Sequence, residues 1–345
     1  MPDERKLKIL LRLPNWLGDS VMVSPSFELL KSHFPNATFN IVGTLHSTEI
    51  YKRDNRIQNI YIDKTKSQKN RFKATLQLSK MIGKHDIAIS FSNTFFSALL
   101  LYFTKTTIRV GYSRNFRGFL LTKRVKFIKN IHQVLSYLNL INYLIAKPLY
   151  YPNSKIEEDL KLKLISKKIK NFNKDNLKPC IGINPGAAYG SAKRWEERYF
   201  VEVIDYFLEN DYMVFLFGNS EVKSLNLIES KINNTNFINL INKTSIQELC
   251  DYISMLDLFI TNDSGPMHIA ASFNIPIIAM FGPTDSKETS PWSKNAILLN
   301  KNLSCAPCKK RECPLKHHNC MKLITPDEVI ESANKILSKN QALYL

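Results

Sequence analysis

The sequence predicts an α/β protein of two Rossmann-like, doubly wound domains facing a central cleft. Three observations carry that expectation. Short apolar runs alternate with amphipathic helical stretches in both halves of the chain. The alternation stops at a polar stretch ending in proline and then begins again. A chain of 345 residues is also longer than one core comfortably takes, since domains commonly run to about 100–200 residues. Strands separated by helices need crossover connections, which makes them parallel.

In the first half, Leu7 to Leu13 reads as a buried strand, followed by a loop from Pro14 to Gly18 and a helix from Asp19 to His33. Ala37 to Gly43, Ile57 to Asp63 and Asp86 to Phe91 are further strands with helical stretches between them. This half is expected to form one domain over residues 1–165. The stretch SKKIKNFNKDNLKP, Ser166 to Pro179, lacks apolar periodicity and reads as an interdomain linker over 166–179.

The second half repeats the pattern over 180–325. Strands are expected at Cys180 to Asn184, Tyr212 to Phe217, Phe237 to Leu240, Leu256 to Thr261 and Ile275 to Phe281. Helices are expected at Glu196 to Asn210, Glu221 to Asn233, Ser245 to Ser254 and Gly265 to Phe273. At Thr325, TPDE is a capping box with proline at the first helical position. It opens a last helix in 326–345, expected to pack back toward the first domain.

Composition narrows the class. With 44% hydrophobic residues the chain can build cores, which excludes a largely disordered protein. The amino terminus lacks the pattern of a signal peptide, and the longest apolar run, Phe95 to Phe103, is far short of the roughly 18–20 residues that span a bilayer. The expected location is the cytoplasm, where six cysteines read as thiols or metal ligands before disulfides. The net charge of +18 is unevenly placed: residues 1–165 hold 27 Lys/Arg against 11 Asp/Glu, and 166–345 hold 21 against 19. Between Lys64 and Leu135 there are 15 basic residues and a single acid, Asp86. Lysine enrichment by base composition would spread over both halves, so the first domain is expected to meet something anionic.

Three segments carry chemistry. LPNWLGDSVMVSP (13–25) puts Asp19 after the first strand, at the sheet edge where ligands bind in open parallel sheets. Asp19 there is either a helix cap or a general base for a hydroxyl. PGAAYGSAKRW (185–195) joins a turn at Gly186 and close backbone at Gly190 and Ser191 to the cation of Lys193, the ingredients of a pyrophosphate site or of an ordinary glycine loop. TNDSGPMHIAA (261–271) ends a strand at Asp263 and starts a helix at Gly265. Ser264 could cap it, and the amides of Gly265, Met267 and His268 could face an anion. His268 alone reads equally as a packed side chain.

In this order and spacing the three segments resemble family 9 glycosyltransferases, the heptosyltransferases of lipopolysaccharide core assembly, over nearly the whole chain. The resemblance implies a GT-B fold. It also implies transfer of L-glycero-D-manno-heptose from ADP-heptose to the inner-core heptose of heptosyl-Kdo2-lipid A, at the inner face of the cytoplasmic membrane. Residue by residue it makes Asp19 the base, Lys193 the donor-phosphate contact, and Asp263, Ser264 and Gly265 the donor turn. Gly218 and Glu221 match more loosely as the ribose contact. No cofactor is implied. The chain has no DxD, so leaving-group charge falls to Lys193 and the helix amino terminus, and a single base implies inversion.

The anionic acceptor fits the basic stretch, where Lys64, Lys66, Lys69, Arg71, Arg109, Arg114, Arg117 and Lys123 are candidates and a solvated surface charge is the alternative for each. CAPCKKRECPLKHHNC (305–320) sets Cys305, Cys308, Cys313 and Cys320 around His317 and His318, read as a reduced structural cluster with zinc as the alternative. The segment is closer to the family members that add the second heptose than to those that add the first. The expected state is a monomer without nucleic acid. A basic nucleic-acid-binding protein, with Phe116, Phe119 and Phe127 interleaved among the charges, and a nucleotide-sugar epimerase are the rivals.

Overall fold

Each half of the chain folds around its own six-stranded parallel sheet, as the alternation predicts. The computed structural model describes residues 6–156, 160–169, 178–219, 228 and 232–341. Its contacts separate two units, Met1–Ile165 and Ser166–Leu345. Residues 170–177 of the expected linker, and most of the helix expected over Glu221 to Asn233, lie outside the described residues.

The first sheet holds β1 (Lys8–Arg12), β2 (Thr38–Gly43), β3 (Ile57–Ile62), β4 (Ile87–Ser90), β5 (Ile108–Tyr112) and β6 (Lys123–Val125) in the order β3-β2-β1-β4-β5-β6. Every neighbouring pair is parallel. Central strands covered on both faces must be apolar throughout, and IAIS of β4 is buried at all four positions. The single helix expected from Asp19 to His33 is two, Leu17–Met22 and Ser24–His33. Pro25 lies in the first turn of the second, where its missing N–H interrupts the ladder that would have joined them.

The second sheet holds β7 (Cys180–Asn184), β8 (Met213–Leu216), β9 (Phe237–Asn239), β10 (Leu258–Asn262), β11 (Ile277–Met280) and β12 (Ala296–Leu299), again all parallel. Its order is β12-β11-β10-β7-β8-β9. Gly182 in β7 has no room for a side chain, since a Cβ would sit 2.3 Å from Leu256 Cδ1 and 2.7 Å from Phe259. The last helix, Pro326–Gln341, carries the expected capping box, with Thr325 N–H donating to Glu328 and Glu328 N–H to Thr325. Val329, Ala333 and Leu337 of this helix fill the core of the second unit beside Trp195 and Met280.

Both sheets share one topology, in which the first strand lies between the second and the fourth. The chain departs in opposite directions from β1 and β4, and again from β7 and β10. Side chains at the carboxyl ends of those strands therefore border a crevice that the fold itself opens.

Candidate functional site

The β1 crevice holds the first segment. Asp19 occupies the third position of the helix Leu17–Met22, whose N-cap is Trp16, so Asp19 is not the cap residue. Its Oδ1 accepts a hydrogen bond of 3.1 Å from Tyr137 Oη. Tyr137 is 3% exposed on the helix Gln133–Leu144 and lies edge-on to Phe91 at 5.6 Å. Burial, and then the charge of Asp19, raise the Tyr137 pKa well above its ordinary value, so the phenol stays a donor. The carboxylate is thereby oriented by a group that cannot compete with it for a proton. Tyr137 has no signal in sequence, since an aromatic in an apolar helix reads as core.

Arg12, at the end of β1, is almost fully buried; its Nη2 pairs with Asp63 at 2.9 Å and donates at 2.9 Å to Asn15 in the loop before Asp19, while its Nη1 donates to Leu13 O. Burial lowers its pKa and Asp63 pulls it back up. Burial alone would raise Asp63, but the Arg12 charge and Thr65 hydrogen bonds hold it below the usual carboxylate range. The pair ties the end of β1 to the residue that follows β3.

In the second unit the two remaining segments meet at the carboxyl ends of β7 and β10. Lys193 Nζ pairs with Asp263 Oδ2 at 2.5 Å, and Thr284 Oγ1 donates to the same oxygen at 2.5 Å. Asn262 Nδ2 donates to Pro185 O at 2.7 Å, and its Oδ1 accepts from Trp195 N at 3.1 Å, closing the loop that carries Gly186, Ser191 and Lys193. Asn184 Nδ2 faces Gly186 O, Thr261 Oγ1 and Ser264 Oγ within 3.3 Å. Ser264 is the N-cap of the helix Gly265–Ser272 but makes no side-chain cap; its hydroxyl serves Asn184 and Thr261 instead. Met267 and His268 are buried at 0% and 4%, which leaves the backbone as the part of Met267 that can face a ligand. Gly218 lies two residues past the end of β8, and its carbonyl accepts from Asn242 N at 3.0 Å. Glu221 lies outside the described residues.

Gly190 has a different use from the one its sequence suggests. A Cβ there would lie 2.2 Å from Arg311 O, so the close approach it permits is to the cysteine segment. Ala192 N donates to Arg311 O at 3.0 Å, and His318 Nε2 lies 2.8 Å from Ala192 O. Tyr189 Oη donates to Lys309 O at 2.9 Å. The segment therefore clasps the lysine turn. Cys305, Cys308, Cys313 and Cys320 are free thiols around a cavity of about 20 Å³. Burial and then the three neighbouring cysteines push Cys320 up to about 11, so its thiol is protonated at neutral pH. Among the described residues no group of three or more His, Cys, Asp or Glu is arranged to hold a metal ion.

The eight acceptor candidates divide by burial. Lys64, Lys66, Lys69, Arg114 and Lys123 are exposed. Arg71 is half-buried, its guanidinium 4.0 Å over the Phe96 ring. Arg109 is half-buried and donates to Leu120 O and Thr106 O. Arg117 is 0% exposed, with Tyr112 O, Ser92 O, Ser97 Oγ and Asn93 Oδ1 around its guanidinium. Burial, and then Arg114, draw its pKa down to about 10. It is a buried staple and does not present a charge to an acceptor.

The family model for glycosyltransferase family 9 (heptosyltransferase) matches residues 75–319, which include Lys193 and Asp263. The lipooligosaccharide heptosyltransferase 2 of Campylobacter jejuni is 38% identical over 340 residues, 97% of this chain and 99% of its own. The chain belongs to glycosyltransferase family 9. The solved structure of Escherichia coli ADP-heptose LPS heptosyltransferase II has the same fold, with a TM-score of 0.78, 24% identity and coverage of 97% and 100%. A family 9 glycosyltransferase from Veillonella parvula superposes with a TM-score of 0.82 at 22% identity, covering 98% and 99%. Family membership removes the epimerase and nucleic-acid rivals as the main activity.

Proposed function

We propose that the chain transfers L-glycero-D-manno-heptose from ADP-heptose to the inner-core heptose of heptosyl-Kdo2-lipid A, with inversion, as a monomer at the inner face of the cytoplasmic membrane. The observation that carries the reading is the meeting of Lys193, Asp263 and the Gly265–Ser272 amino terminus at the β7–β10 switch point. Asp263 fixes the ammonium, and the amides of Gly265, Met267 and His268 add the helix field. Together they receive the diphosphate and the charge that develops on it as ADP leaves. Asp19, oriented by Tyr137, takes the acceptor hydroxyl proton while that oxygen bonds to the anomeric carbon and the bond to phosphate breaks. One base and one displacement give inversion. Because Lys193 and the amides supply the positive charge, no step in this scheme draws on a metal. Among the described residues no helix is long and apolar enough to cross a membrane. The exposed Lys64, Lys66, Lys69, Arg114 and Lys123 are the cations left to attract acceptor phosphates.

The test is incubation with ADP-heptose and either Kdo2-lipid A or its heptosylated form, read by mass spectrometry. Addition of one heptose to the heptosylated acceptor alone is expected. Product from Kdo2-lipid A instead would reassign the chain to the first transfer, and product from neither would reject the reading.

A further inference from the structure

The first unit carries exposed aromatic side chains in the middle of its most basic stretch. Phe116 is 96% exposed, Phe119 67% and Phe95 38%. We propose that the Ser113 to Phe119 turn and the adjoining Phe95 form a docking surface for an anionic bilayer, with the phenylalanines entering the headgroup region and the surrounding cations meeting lipid phosphates.

The turn is braced from behind. The buried Arg117 binds Asn93 Oδ1 at 3.0 Å and Ser97 Oγ at 2.9 Å, and Asn115 Nδ2 donates to Asn93 O at 2.8 Å. These bonds fasten the turn to the start of the helix Phe95–Phe103. Phe119 and Phe95 then touch, with ring centroids 6.3 Å apart. Asn115 and Phe116 both have left-handed backbone, φ 57° and 53°, which a phenylalanine seldom adopts. A buried arginine and two left-handed residues thus hold an apolar ring in water, where it would otherwise be unfavourable.

Charge identifies the occupant. Arg114, Lys123, Arg124, Lys126 and Lys129 are exposed in the same stretch, and the one acid between Lys64 and Leu135, Asp86, accepts from Lys8 N. Apolar rings among cations match the interfacial region of an anionic membrane. A bilayer is favoured over nucleic acid because the rings form one apolar cluster, Phe119 and Phe95 packing on each other beside Phe116, which suits burial among headgroups and acyl chains better than separate stacking of successive bases. The proposal rests on the function above only in that the acceptor there is a lipid.

The experiment is flotation of the full chain with vesicles of phosphatidylcholine alone or mixed with phosphatidylglycerol, at low and physiological salt. The chain should float with the mixed vesicles, less so at higher salt. Phe116→Ser with Phe119→Ser should reduce partition about tenfold or more, with thermal unfolding and ADP affinity unchanged. Phe116→Trp should retain binding, since tryptophan suits the interface. Absence of phosphatidylglycerol-dependent flotation, or equal partition of the double variant, would overturn the proposal. So would loss of oligonucleotide binding by that variant with vesicle binding intact. The vesicles contain neither donor nor acceptor, so this result and the transfer assay can fail separately.

Discussion

Replacing Lys193 by alanine should weaken ADP binding by more than one lost contact, because Asp263 stays behind. In the native site the ammonium is 2.5 Å from Asp263 Oδ2, and both side chains are largely buried, at 12% and 6% exposure. The lost charge-assisted hydrogen bond to phosphate is worth about 1.5–3 kcal/mol. The uncovered carboxylate adds repulsion: for two like charges about 5 Å apart, Coulomb's law gives about 3 kcal/mol at an effective dielectric of 20 and about 1 in water. The sum corresponds to a rise in Kd of roughly 10²- to 10⁴-fold. Asp263→Asn added to Lys193→Ala removes the repulsion and should recover about five- to a hundredfold of that loss. Calorimetry of ADP binding to the wild type, the single and the double variant measures both terms. Unchanged affinity in Lys193→Ala would remove the lysine from the donor site. A double variant weaker than the single would show that Asp263 acts on the nucleotide directly.

Asp19→Asn should lower turnover by roughly 10²–10⁴ with ADP affinity intact, the range expected for a general base, and a change of only a few-fold in steady-state assays would disqualify it. Tyr137→Phe removes the hydrogen bond to Asp19 and keeps the packing, so kcat should fall about tenfold or more with KM for ADP-heptose unchanged; full activity would make that bond incidental. Arg117→Ala strips the partner from several buried carbonyl and hydroxyl oxygens, each costing about 1–3 kcal/mol when left unsatisfied, and should lower Tm by roughly 10 °C in a calorimetric scan. By contrast Lys66→Gln with Lys69→Gln should leave Tm unchanged and raise the acceptor KM at low salt; no change in KM would clear both of an acceptor role.

What the sequence made legible follows from what is periodic in it. Strands buried on both faces, such as ILL in β1 and FIT in β10, are apolar runs followed by turn residues, and their expected and observed bounds agree within a residue or two. β6, a three-residue edge strand of the first sheet with two exposed basic residues, has no such run; β5, interrupted by Arg109 and Gly111, and β12, a short and only partly buried run at the edge of the second sheet, are likewise not among the expected strands. The candidate segments were readable because in this strand order a switch point falls after the first and fourth strands, and Asp19, Lys193 and Asp263 all follow those strands. Their partners were not. Asn184 and Asn262 are strand-end polar residues like many others, and Thr284 lies 21 residues beyond Asp263. Only the folded sheet makes them the frame of one loop. Gly190 shows the same limit from the other side, since glycine marks a close approach but not by what.

Charge was legible as a sum and misleading as a set of contacts. Fifteen basic residues in the stretch from Lys64 to Leu135 set up a field that depends on their number and rough location, which sequence gives. Contact with an anion depends on where each side chain ends, and that is decided by neighbours. Arg117 and Arg114 are three positions apart, yet one is enclosed by backbone oxygens while the other is exposed against Phe127, at 4.0 Å. A guanidinium carries five N–H donors, so wherever the fold leaves a ring of unpaired carbonyls, arginine is drawn inward in a way lysine rarely is. The arginines of the basic stretch accordingly divide between buried, half-buried and exposed places, whereas the lysine candidates Lys64, Lys66, Lys69 and Lys123 are all exposed. A basic surface in such a chain is therefore better sought from its lysines, and its arginines are better read as evidence of how the loops between them are held. Here the best-held of those loops is the one that lifts Phe116 into water.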